Sequence, residues 1–218
     1  MFDRHHSLFA IGRRPSRDDT AAFDTHVLAC ILAAAASEVD AGTGGLLAAT
    51  GLDARTLDLV LDRWFPFADI ETFDVGEPAP LEAEEEMLLD LLLAHAAVRP
   101  DRRVGEPDLS AILARMIARR AMRPDHLWQD LGLFDRSELN RLLARHFPTL
   151  HAGNTADMKW KKYFYRKLCE AEGFSLCTAP SCAACTDFAA CFGAEDGESR
   201  MAKARREVDR AEVRIAAE

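Results

Sequence analysis

DDTAAFDTHVLACILAAAASEVD, residues 18–40, is the stretch whose reading decides the fold. It contains neither Gly nor Pro. Phe23, Val27, Cys30, Ile31 and Ala34 recur at the spacing of one helix face, whereas a half-buried strand would alternate apolar and polar residues. Alanine dominates the rest of the run and is the strongest helix former. Asp18 or Asp19 stands where an N-cap is needed, and Gly42 and Gly44-Gly45 follow where a helix stops. The run predicts a long, mostly apolar helix, which must be covered by other elements.

Outward from this helix the same pattern repeats. LLAAT (46–50) is a short helical turn, followed by Gly51-Leu52-Asp53 and then ARTLDLVLDRWF (54–65), stopped by Pro66. Residues 67–81 carry Pro78 and Pro80 with no clear period and predict a loop. LEAEEEMLLDLLLAHAAV (81–98) predicts an amphipathic helix whose acidic first turn suits the positive end of the helix dipole. LSAILARMIARRAM (109–122), PDHLWQDLGL (124–133) and DRSELNRLLARHF (135–147) continue the series, with a stop at Pro148. In NTADMKWKKYFYRKLCEAEG (154–173), Trp160, Phe164 and Leu168 fall four apart, giving a helix with an aromatic face. The expectation is an all-α protein. GLDARTLDLVLDRWFP (51–66) and GLFDRSELNRLLARHFP (132–148) share a Gly-Leu turn, a polar cap, an amphipathic helix and a Phe-Pro stop, which points to an internal duplication. A DNA-reading helix-turn-helix is disfavoured, because Asp53, Asp58 and Asp62 on the first of these helices would be repelled by phosphates.

The 218 residues are expected to divide into a flexible leader (1–17), a helical domain (18–172), an irregular cysteine-rich cluster-binding loop packed on it (173–195) and a charged tail (196–218). The net charge of −9 speaks against a general nucleic-acid binder. The N-terminus lacks the apolar run of a secretory signal, and the longest apolar stretch, Val27 to Ala36, is too short to span a bilayer. A cytoplasmic protein with no membrane partner is expected. In that reducing compartment clustered cysteines point to metal or redox chemistry rather than to a disulfide scaffold.

Four of the six cysteines lie in CTAPSCAACTDFAAC, residues 177–191, spaced C-x4-C-x2-C-x5-C. Sulfurs so close in sequence converge on one centre only if the backbone wraps around it. Ala179, Ser181, Ala183, Ala184 and Ala189 are small enough for that, Pro180 sets a turn, and Phe188 and Phe192 are placed to exclude water. A tetrahedral zinc takes four thiolates at about 2.3 Å, and an iron–sulfur cluster takes thiolates around a larger body. Zinc knuckles commonly use two C-x2-C pairs, and here only Cys182 and Cys185 form one. The spacing looks more like a wrapped cluster, with structural zinc on a protein-interaction module and an iron–sulfur redox or sensor module as the other readings.

HLWQDLGL (126–133), RHFPTL (145–150), MKWKKYFYRKLC (158–169) and the cysteine pattern ending in CFG together resemble the NifQ family, over roughly residues 20 to 195. The resemblance implies a cytoplasmic nitrogen-fixation protein that is a metal carrier rather than an enzyme. It implies an iron–sulfur cluster and molybdenum, with Cys177, Cys182, Cys185 and Cys191 as the residues matching the family motif. It further implies delivery of molybdenum to the nitrogenase cofactor-assembly scaffold, together with the nitrogenase iron protein, for the iron–molybdenum cofactor. The chemistry is reasonable: molybdate is a hard oxyanion, whereas sulfide and thiolate donors are soft and stabilise reduced molybdenum.

Further candidates surround this motif. Cys169 sits eight residues before the cysteine run, as a transient ligand or a small core residue. His146 and His151 flank Pro148 as potential molybdenum ligands. Lys159, Lys162 and Arg166 share one side of the aromatic helix, where they are placed to attract molybdate, dock an acidic partner or simply face solvent. Cys30 is expected in the core, as are Trp64, Trp128 and Trp160, and His126 at the start of its helix.

Overall fold

Every helix and strand assignment among the described residues is helical. The structure, a computed structural model, describes residue 16 and residues 19–66, 74–98 and 108–171, without the side chains of Cys169 and Ala171. The all-α expectation holds for these residues. The leader up to residue 15, the cysteine-rich loop and the charged tail lie outside them.

Helix α1 spans Thr20–Asp40, and Asp19 is its cap, accepting the Ala22 N–H at 2.8 Å. Then come α2 (Leu46–Thr50), α3 (Ala54–Trp64), α4 (Ala83–Ala94), α5 (Leu109–Ala121), α6 (Leu127–Asp130), α7 (Arg136–His146), α8 (Pro148–Gly153) and α9 (Trp160–Ala171). The chain divides into two units. The first holds α1 to α8, and the second holds residues 124–126 and, among the described residues, 154–171 with α9.

In the first unit α5 packs against α4, α2 and α6, while α2 also packs on α1 and α7 joins α6 to α8. Val27, Leu28, Ile31 and Leu32 of α1 are sealed from solvent, as are Leu113, Met116 and Ile117 of α5 and Leu142 and Leu143 of α7. By length and composition α1 is long and apolar enough to cross a membrane, which the ten-residue apolar run did not indicate; here most of its apolar window is buried within the protein. It also carries buried Asp24 and His26, both with polar partners on α7. That is the surrounding of a core helix.

The duplication read from sequence is present in three dimensions. Gly51 (φ 73°) and Gly132 (φ 68°) both adopt the left-handed conformation that glycine takes without steric cost. Each is followed by an aspartate cap: Asp53 accepts the Thr56 N–H at 2.8 Å, and Asp135 accepts those of Ser137 and Glu138 at 2.9 and 3.1 Å. Eleven-residue helices follow in both cases. They end on Phe65 (φ −134°, ψ 49°) and Phe147 (φ −137°, ψ 58°), whose amides return to the carbonyls of Leu61 and Leu143. Each turn packs closely on a long helix. A Cβ on Gly51 would lie 2.8 Å from Cβ of Arg119 and 3.2 Å from the carbonyl of Arg115, on α5. One on Gly132 would lie 2.6 Å from the carbonyl of Cys30 and 3.1 Å from Cβ of Ala34, on α1. Each turn therefore sits against one carbonyl and the Cβ four residues on, in the long helix that precedes the other copy in the chain.

Several boundaries differ from the sequence reading. The helix expected over 81–98 is α4, Ala83–Ala94. The chain leaves it at His95, and the Ala97 N–H bonds to the carbonyl of His146 at 2.8 Å, so tertiary pairing ends the helix before its apolar pattern does. Part of the Pro-rich loop is a strap fixed to the unit. Leu46 and Leu47 donate to the carbonyls of Asp74 and Val75, and Arg119 donates to those of Ala79 and Pro80. Pro148 stops α7 and also begins α8, as a residue lacking an N–H suits a first helical position. Of the three tryptophans only Trp160 is buried; Trp64 and Trp128 are half-exposed.

Candidate metal centre and its approaches

Cys177, Cys182, Cys185 and Cys191 lie outside the described residues, so the centre is approached through the elements that lead to it. The last of these is α9, in the second unit. The chain enters it through a corner closed by Asn154, whose side-chain amide accepts the Met158 N–H at 2.9 Å and donates to its carbonyl at 2.8 Å. Asp157 inside that corner has φ 49°, a left-handed conformation in which Asp is tolerated better than bulkier residues.

Along α9, Trp160 meets Tyr163 edge-on at 5.8 Å between ring centroids and Phe164 at 5.9 Å. Trp160, Tyr163, Phe164, Tyr165 and Leu168 are all buried, which takes up more than one face of the helix. Burial pushes the Tyr163 hydroxyl above its usual range. The basic residues are arranged around this apolar body in a way the sequence did not show. Lys161 is buried, Lys159 and Lys162 are half-buried, and only Arg166 of the expected stripe is exposed. Arg166 is ion-paired with Glu170 at 3.0 Å, and Lys167 meets the same carboxylate at 2.8 Å. Glu170, which the sequence reading passed over, thus balances charge at the end of the helix nearest the cysteines; its spacing of three and four from the two bases was the available signal.

The other end of α9 is electrostatically unusual. Helices α1, α3, α5 and α7 begin with an aspartate cap, and α4 has Glu84, Glu85 and Glu86 in its first turn. Helix α9 has no acid in its first turn, where Lys161 and Lys162 stand, with Lys159 just before. Cations at a helix N-terminus oppose the dipole.

His146, a candidate molybdenum ligand, is buried in the first unit. Nε2 lies 3.0 Å from Oδ1 of Asp24, and Nδ1 lies 3.1 Å from Oγ of Ser110. A carboxylate only accepts, so Nε2 carries the proton; in the neutral ring Nδ1 accepts from the Ser110 hydroxyl. Arg145 completes the cluster with two bonds to Asp24, at 2.6 and 2.8 Å. Burial alone would raise the Asp24 pKa, but the hydrogen bonds from His146 and Arg145 outweigh it and hold the group at about 2. The sequence signal for Asp24 was a lone acid on the apolar face of the first helix. His151 is half-exposed on α8.

Cys169 is in the last turns of α9, with its side chain outside the description. Cys30 is in the core, as expected, with Sγ 3.6 Å from Nε2 of His26, which in turn lies 3.3 Å from Glu138. Burial and the Glu138 charge push its thiol up to about 12. Among the described residues no three His, Cys, Asp or Glu side chains are grouped to hold a metal ion.

Comparison with known proteins gives a single answer. A family model described as NifQ matches residues 27–193. A curated NifQ homolog of Sinorhizobium fredii is 52% identical over 197 residues, covering 88% of this chain and 81% of that protein. NifQ of Rhodobacter capsulatus is 38% identical over 165 residues, 76% of this chain and 87% of that one. NifQ of Azotobacter vinelandii is 43% identical over 95 residues, 44% of this chain and 49% of that one. No solved structure matches the chain. The matched span takes in both copies of the duplication, the aromatic helix and all four clustered cysteines, and on that basis the chain belongs to the NifQ family of nitrogen-fixation proteins.

Proposed function

We infer that this protein is a non-enzymatic metal carrier that holds an iron–sulfur cluster and passes molybdenum on for assembly of the nitrogenase iron–molybdenum cofactor. The observation that carries this reading is the pairing of family membership with four thiols inside fifteen residues, at a spacing that suits a wrapped cluster. The donor set fits: thiolate sulfur is the ordinary protein ligand of iron–sulfur clusters. Cys177, Cys182, Cys185 and Cys191 would hold it, and when bound it supplies soft sulfur donors suited to reduced molybdenum.

The chain's own contribution is placement and electrostatics. Helix α9 ends at Ala171, shortly before the cysteine run in sequence, and the lysines at its N-terminus would attract a dianion such as molybdate. Glu170 keeps the other end closer to neutral. The recipient of the cargo, by the family reading, is the cofactor-assembly scaffold, with the nitrogenase iron protein as an accompanying partner, in the cytoplasm.

Cys182→Ser and Cys185→Ser variants, purified anaerobically, test the ligand assignment. Iron per chain is expected to fall by more than half in each while far-ultraviolet circular dichroism stays at the wild-type level, because the helical core does not depend on these residues. Full iron retention in both variants removes the two cysteines from the ligand set.

A further inference from the structure

We draw no further inference here: the strongest candidate, the buried side-chain cluster of His26, Cys30 and Glu138 between α1 and α7, keeps its thiol protonated and its carboxylate on the Phe134 N–H, and nothing among the described residues points to a ligand there.

Discussion

Asp24 stays charged inside the core because Arg145 and His146 surround its two oxygens with donors. Its pKa is lowered on folding from 3.8 to about 2, so the stability it contributes is complete above its unfolded value and is lost as pH falls through about 2. A shift of that size corresponds to about 2 kcal/mol at neutral pH. Asp24→Asn is expected to lower the unfolding free energy at pH 7 by about 2–4 kcal/mol, because Arg145 and His146 keep their donors and lose the charge that satisfied them. Denaturant titrations at pH 7 and pH 3 check this: the wild type should weaken between them more than the variant does, and equal slopes would mean that Asp24 is not the group responsible. Cys30 has the opposite sign. Its folded pKa lies above the ordinary thiol value, so its contribution is present below about pH 9 and disappears as pH rises through about 12. At pH 7.5 an alkylating reagent should leave Cys30 unmodified in the native protein and label it after unfolding, as read by peptide mass mapping. Native labelling at the rate of a free thiol would contradict its burial.

At the scale of elements, the duplicated turns make a graded prediction. Replacing Gly132 by Ala forces a left-handed φ on a residue with a Cβ and drives that atom against the α1 backbone, which cannot move aside. Replacing Gly51 meets mostly the Arg119 side chain, and replacing Gly42, also left-handed, meets nothing within 4 Å. Melting should therefore show Gly42→Ala costing about 1–2 kcal/mol, Gly51→Ala more and Gly132→Ala most; equal losses would remove the close approach as the reason for glycine. Helix α9 makes a different kind of prediction. Neutralising its N-terminus with Lys159→Gln and Lys162→Gln should slow molybdenum loading and leave iron content unchanged, and added salt should slow the wild type in the same direction. Unchanged loading at every salt concentration would refute the attraction, and unchanged loading with lost transfer would make the lysines a docking surface instead. Helices, caps and the Gly-Leu/Phe-Pro duplication were legible because each depends on residues close in sequence: Asp19, Asp53 and Asp135 cap where their positions predict. What sequence could not supply depends on distant contacts. The end of α4 is set by Ala97 reaching His146, the fate of His146 by Asp24 and Ser110, and the partial burial of Lys159 and Lys162 by an aromatic body wider than the face its four-residue spacing defines. The four cysteines stand out in the sequence through their spacing, and they lie outside the described residues.

At the scale of the molecule, a helical unit containing two similar turn-helix segments precedes, in sequence, an aromatic helix and then a dense run of cysteines. The account places the metal chemistry in residues 177–191. The most direct test is elemental analysis of the full chain purified without oxygen, together with acid-labile sulfide and electron paramagnetic resonance. The account predicts a brown protein with iron and sulfide in comparable amounts, an iron–sulfur resonance, and molybdenum that is retained after incubation with molybdate under reducing conditions. Zinc as the sole bound metal, at about one per chain and without sulfide, would contradict it, and so would a stable iron–sulfur cluster that takes up no molybdenum.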